Sequence, residues 1–140
     1  MSTKIYLKSI GISNLEKNLN LHMVDQADIS AKEKIEVAIQ TIKINQSKFS
    51  LFVEATLSYE AHAEDKIFAH VDAKYHSVFD ISHKLEPYTH DSASNFLSEN
   101  PIIVQSIENV INQYVSMDVH KQLVDMGVTS DLPLFVCEIE

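Results

Sequence analysis

The chain has 140 residues, 45% of them hydrophobic, enough for one domain with its own core and too apolar for a disordered chain. Its net charge is -9 and all 11 basic residues are lysine, so the arginine fork that usually grips phosphates and carboxylates is missing. With only two glycines, and neither G-x-G-x-x-G nor a Walker sequence, a nucleotide enzyme is disfavoured, and the acidic balance disfavours binding to nucleic acid.

No apolar run approaches the roughly 20 residues a bilayer needs, and Met1-Ser2-Thr3-Lys4 leads into alternating residues instead of a signal core. The expected compartment is the cytosol. The single cysteine, Cys137, excludes an internal disulfide framework and suits a reducing environment.

Residues 4–12 alternate weakly and predict a short first strand. Residues 13–32, with Asn14, Asn18, Asn20, Asp25 and Asp28, predict an irregular connection. A second strand is predicted over Ile35–Ile44, with Ile35, Val37 and Ile39 on one side. Past Thr41 the phase slips and Ile42 and Ile44 carry the apolar side, which a bulge or a change of contact face would explain.

Asn45-Gln46-Ser47 makes a turn into a third strand, Lys48–Ala61. There Phe49, Leu51, Val53, Ala55, Leu57 and Tyr59 share one face and Phe52 interrupts the polar one. A hairpin at His62–Asp65 leads to a fourth strand, Lys66–Ser82, with Ile67, Ala69, Val71, Ala73 and Tyr75 on the core face. Phe68 lies on its outer face, and Val78, Phe79 and Ile81 follow a further phase change.

Asp91 or Ser92 is placed to cap a short helix holding Phe96 and Leu97. Asn100 and Pro101 then open a long helix running to about Met126, with Gly127 placed to stop it. Ile103, Ile107, Val110, Ile111, Tyr114 and Val115 recur at three and four and predict one apolar stripe; Ser116-Met117-Asp118 is a point of interruption. The segment Leu132–Ile139, apolar and acidic with Pro133 inside it, is suited to an edge strand or to packing over a neighbour. The fold class is therefore α+β: an antiparallel four-stranded meander sheet followed by a long C-terminal helix, in a single domain spanning residues 1–140.

The order of strands resembles the SecB-type protein-export chaperones. The resemblance rests on I-x-V-x-I from Ile35, F-x-L-F-V-x-A-T-L-x-Y from Phe49, and the strand ending Val78-Phe79-Asp80-Ile81. Asn100, Glu108, Gly127 and Leu132-Pro133 match part of the family's later signature. The family's proline-tyrosine pair and its arginine are missing, with Val104, Gln105 and Ile107 in their place, and the helix before Gly127 is longer.

The resemblance implies a SecB-like chaperone, an ATP-independent holdase for unfolded polypeptides, serving preprotein export or guarding an antitoxin. It implies no cofactor, a homodimer or homotetramer with paired edge strands and packed helices, and clients held in apolar grooves. The acidic surface that meets the export motor does not map cleanly, since Asp72 lies near the right strand with its direction open.

Residues that break the face pattern are the candidates for client contact: Ile42, Ile44, Phe52, Phe68, Val78 and Phe79, with Phe96 in the short helix. A two-sided core or a dimer interface is the plainer reading for any one of them, since large apolar side chains are usually packed. Ile107, Ile111 and Tyr114 are the candidate oligomer interface.

His70 and Asp72 lie two apart on one strand face, but no H-x-H or H-E-x-x-H spacing exists, so neither a metal site nor an enzyme is expected. Cys137 in its apolar, acidic setting reads as a buried side chain. The rivals are a single-partner interaction factor of a phage or mobile element on the same fold, a small-ligand enzyme, and an acidic mimic of DNA. The last is weakened by the scatter of the acids.

Overall fold

The computed structural model describes residues 3–19, 29–63, 66–84 and 86–125. Four strands and two helices follow in the order β1 (Lys4–Leu19), β2 (Ile29–Asn45), β3 (Lys48–Ala63), β4 (Lys66–Ser82), α1 (His90–Glu99) and α2 (Pro101–Asp125). The strands make one antiparallel sheet in the order β1-β4-β3-β2. The expected meander therefore holds for β2, β3 and β4, while β1 returns to pair with β4. This is a Greek-key order read from its far end.

Bulges explain where alternation failed as a guide. In β2 the register shifts between Ile39 and Thr41, so Gln40 is the extra residue. Ile42 and Ile44 thereby face the same side as Ile35 and Val37, and all four pack half-buried against the core. β1 carries two such shifts, between Leu7 and Ser9 and between Ile12 and Asn14. Each resets the phase, keeping Ile5, Leu7, Ile10, Ile12 and Leu15 opposite the inward residues of β4.

That resetting lets the strand continue to Leu19, across asparagines expected to form a loop. β2 likewise begins earlier than its apolar alternation, at Ile29. β4 shows no phase change near its end: its pairing with β3 is continuous from Phe49–Ile81 to Ala61–Ala69. Phe79 and Ile81 point inward with Tyr75, and Val78 points outward.

The β2–β3 turn places Gln46 at φ 55, a left-handed conformation uncommon without glycine. The Gln46 carbonyl accepts the Tyr88 N–H at 2.7 Å, which ties the turn to the segment before α1. The cap of α1 is Thr89 instead of Asp91 or Ser92. Thr89 accepts from the Ser92 N–H, and the Ser92 hydroxyl faces the Thr89 N–H in return. Asn100 closes α1: its side-chain amide donates to the Phe96 carbonyl, while its own carbonyl accepts the Ile103 N–H at the start of α2.

α2 runs unbroken through Ser116-Met117-Asp118. The expected stop at Gly127, the Leu132–Ile139 segment and Cys137 lie outside the described residues, as do Glu64 and Asp65 of the β3–β4 hairpin.

The core lies between the inner face of β3 and β4 and a single row on α2. Every fourth residue from Ile103 is buried: Ile103, Ile107, Ile111, Val115, Val119 and Leu123. A helix advances about 100° per residue, so a strict four-residue row winds slowly round the axis. Such a row suits a helix laid across a twisted sheet. Val110 and Tyr114, expected in the stripe, fall on the flanking row and are exposed.

Ile111→Ala should cost about 2–5 kcal/mol of stability, as for other buried aliphatic truncations. Met117→Ala, on the solvent side of the same helix, should stay within about 0.5 kcal/mol. Urea unfolding of the two variants checks the assignment, and equal losses would refute the four-residue row.

Candidate polypeptide-binding strip

Two hydrogen bonds fix how α2 lies over the sheet. The Tyr75 hydroxyl of β4 donates to Asp118 at 2.6 Å, and the Lys17 ammonium of β1 donates to Gln122 at 2.9 Å. Asp118 and Gln122 are one turn apart, so their row, which also holds Val110 and Tyr114, faces β1. On the opposite flank the Ser116 hydroxyl donates to Glu33 of β2 at 3.3 Å. The Tyr114 ring meets Tyr75 edge to face at 6.1 Å. Burial, with the Asp118 carboxylate next in weight, holds the Tyr75 hydroxyl far above its ordinary pKa, so it remains a donor.

β1 is the edge strand on this side, and its inward side chains are only partly covered. Leu7 and Ile12 are each 43% exposed and Leu15 is 37% exposed; on α2, Val110 is 40% and Tyr114 is 36% exposed. Tyr114 reaches the sheet at Tyr75, the cross-strand partner of Ile12, and Val110 lies one turn before it, so these side chains are the candidate apolar strip between the inner face of β1 and the flank of α2. Among the described residues no strand pairs with the outer edge of β1. Apolar contact on one side and free backbone groups at the edge are what sequence-tolerant polypeptide binding requires.

The residues singled out from the sequence fall in three places. Ile42 and Ile44 sit half-buried on the inner face of β2, and Ile44 pairs with Phe49. The Phe49 ring meets Phe96 at 6.3 Å, so Phe96 belongs to the same neighbourhood, close to α1. Phe52 and Val78 are cross-strand partners on the outer face, where Phe52 is 37% exposed. The sheet separates these two groups. Phe79, at 1% exposed, is core and offers a client nothing without unfolding. The side chain of Phe68 lies outside the described residues.

Ile107 and Ile111 are core beneath α2, so within the chain they face the sheet and not a neighbouring subunit. Tyr114 alone of the expected interface trio is accessible. Besides Val110 and Tyr114, α2 presents Ile102, Met117 and Val124 to solvent. Sequence pattern missed the strip because two bulges hide the face of β1 and because Val110 fits a three-and-four stripe as well as the true row.

The outer face is polar, with Lys74 and His76 near Glu54, Lys48 near Asp80, and His62 3.0 Å from Glu60. Among the described residues no group of three or more His, Cys, Asp and Glu is placed to hold a metal ion, and no helix is long and apolar enough to cross a membrane.

At the end of the sheet beyond α1, His83 stacks on Phe96 at 3.7 Å, and the Tyr88 hydroxyl bonds its Nδ1. The Tyr88 ring meets Phe49 edge to face at 4.8 Å and carries Lys84 above it at 4.6 Å. Burial, helped by Lys84 and opposed by Glu86, lowers the His83 pKa. Burial raises that of Tyr88.

The architecture is that of the SecB fold: a four-stranded antiparallel sheet followed by a long C-terminal helix. The likeness is to the SecB-like chaperone Rv1957 of Mycobacterium tuberculosis, solved with a ChAD peptide from the Rv1956 HigA1 antitoxin. The TM-score is 0.63 at 14% identity, covering 97% of this chain and 90% of that one. A protein of unknown function from Streptococcus agalactiae aligns at a TM-score of 0.30 and 10% identity, over 84% of this chain and 94% of that one, which carries no argument. No family model matches the sequence, and no curated protein matches it.

The His83 latch makes stability depend on pH in a defined sense. A histidine whose pKa is depressed on folding binds its proton more readily when unfolded. Its stabilising contribution is therefore present above the ordinary histidine value of about 6.5 and lost as pH falls below it. Melting temperatures measured between pH 7.5 and 5 should fall less steeply for His83→Phe than for the parent chain. Parallel curves would show that His83 does not titrate across folding.

Proposed function

We propose that this protein is an ATP-independent holdase that binds extended, non-native polypeptide along the β1–α2 strip. The observation that carries the reading is the strip itself: partly exposed aliphatic side chains on an edge strand, walled by a helix, on a fold shared with a chaperone solved holding an antitoxin peptide. Backbone groups at the β1 edge supply affinity without sequence, and Leu7, Ile12, Leu15, Val110 and Tyr114 supply apolar contact. The half-buried Ile42, Ile44 and Phe96 extend apolar surface on the β2 side of the same layer. The working form is a cytosolic homo-oligomer, with Ile102, Met117 and Val124 of α2 as the side chains available to a second subunit.

Unfolded preproteins and an antitoxin are the two kinds of client consistent with this reading. A narrower one keeps the fold and replaces general clients with a single protein partner. It is favoured by the Phe52–Val78 pair on the outer face, an isolated apolar spot in polar surroundings of the kind that makes a hot spot.

Light scattering separates the readings. An unfolded model protein diluted into buffer at equal subunit ratio, without nucleotide, should stay dispersed, with saturation near stoichiometry. Ile12→Asp combined with Val110→Asp should reduce the protection at least tenfold while urea unfolding remains cooperative. Phe52→Asp should leave it unchanged. Loss of protection through Phe52→Asp alone would move the client to the outer face. Absence of protection by the folded parent chain would favour the single-partner reading.

A further inference from the structure

Near the β2–β3 turn, apolar side chains interrupt the polar face of the sheet. Val78 of β4 lies beside Phe52 of β3, and Tyr6 of β1 lies beside Asp80, the next outward residue of β4. Phe52 is 37% and Tyr6 is 59% exposed. Their strands are about 10 Å apart, with β4 and Val78 between them.

The neighbours of these side chains are short. Thr41 stands beside Phe52, Ser9 beside Val78, and Gly11 one row further along β1. A Cβ built on Gly11 would meet nothing within 4 Å. Both helices pack on the other face of the sheet. The two rings therefore stand clear of the sheet, open to a partner.

The charges beside this spot are mostly of one sign. Lys4, Lys43 and Lys48 are exposed on the outer face at this end, opposite or next to Ser82 and Ser50. Among the described residues Lys4 and Lys43 are in no ion pair. The nearby carboxylates are already engaged. Asp80 accepts the Ser50 hydroxyl at 2.6 Å and lies 3.9 Å from Lys48, and Glu54 lies 3.8 Å from His76 and 3.9 Å from Lys74.

The chain as a whole carries a net charge of -9. At about 0.15 M salt, however, charges act strongly only within about 8 Å, so a ligand on this spot is governed by the lysines. That is the reverse of the acidic export-motor surface that the family resemblance implies. Lysines around an apolar centre, with no arginine fork, suit carboxylates and large side chains on one peptide better than a sugar-phosphate backbone.

We propose that the outer face around Tyr6, Phe52 and Val78 is a second docking surface, separate from the β1–α2 strip, for an acidic segment of a partner protein. Apolar side chains of that segment cover Phe52 and Tyr6, and its carboxylates meet Lys4, Lys43 and Lys48. The sheet lies between the two surfaces, so a client and this partner can be held together. This docking does not depend on the holdase reading.

The probe is a fluorescein-labelled synthetic peptide rich in aspartate and glutamate, with leucine and phenylalanine between them, read by anisotropy at about 0.15 M salt. It should bind the full chain saturably. The same peptide with alanine for its leucine and phenylalanine should bind at least tenfold more weakly. Phe52→Ala and Lys43→Glu should each weaken binding at least fivefold while urea unfolding remains cooperative. Lys121→Glu, the same change of charge on the exposed side of α2, should leave binding unchanged. In the scattering assay Phe52→Ala and Lys43→Glu should protect client as the parent chain does.

Failure of the parent chain to bind the peptide would overturn the proposal. So would binding that follows Lys43 but ignores Phe52→Ala and the alanine peptide, since that is bare charge attraction. An oligothymidylate that competes as well as the peptide would overturn it in favour of a nucleic-acid surface. Protection lost together with peptide binding would overturn it by making the outer face the client site. If the peptide binds with the expected pattern but no client is protected, the docking surface stands and the holdase reading falls.

Discussion

The structure depends on one contact: the winding aliphatic row of α2 laid across the inner face of β3 and β4. It is built almost wholly from β-branched side chains, whose stiff rotamers lose little entropy on packing. Because the row repeats every four residues it engages the sheet along the whole helix, and it has no width to spare. A single row covers the two central strands and half-covers β2. Among the described residues the strip beside β1 is what remains uncovered, so the candidate site is a direct result of how narrow the core stripe is.

The same economy separates the two faces of the sheet. The face away from the helices is laced with lysine, histidine and carboxylate pairs in good contact with water, individually worth little to stability. They keep a wide sheet soluble and steer the helices to the other side. Inside, Ser77 donates to the Val53 carbonyl between the central strands, and the other polar contacts sit at the margins of α2: Glu33 and Ser116 towards β2, Tyr75 and Asp118 towards β4, Lys17 and Gln122 at β1. These pairs set the crossing position of the helix, since aliphatic packing alone would tolerate small slides.

Much of the fold was legible because β3 and β4 alternate cleanly and Asn100-Pro101 punctuates the two helices. The facing of β3, the β2–β3 turn, the phase slip in β2 and the opening of α2 follow directly from those residues. What resisted was bulge chemistry. Without knowing that Lys8, Ser13 and Gln40 are extra residues, Leu15 looks like part of a loop. Val78 and Phe79 look alike for a different reason: Ser77 lies on the core face and Val78 on the outer one, which imitates a phase break where β4 has none.

The return of β1 to β4 could not be read, since alternation fixes which side a residue faces and says nothing of which strand lies beside it. The site was less legible than the fold for the same reason. It is made of the difference between the row that α2 buries and the row beside it, and Val110 and Tyr114 sit one position away from Ile111 and Val115.

The Greek-key return of β1 also has a consequence in time. Lys4 pairs with Ser82 and Leu19 with Ala69, so the first strand to be synthesised finds its partner only after the rest of the sheet exists. β2, β3 and β4 close through neighbouring hairpins, whereas β1 must close a long loop, the slower and entropically costlier event. With no helix over it and one neighbour in the sheet among the described residues, it is also the strand whose amide protons should exchange earliest in the native state. The edge that a bound polypeptide would extend is thus the last part of the sheet to form and the first to open.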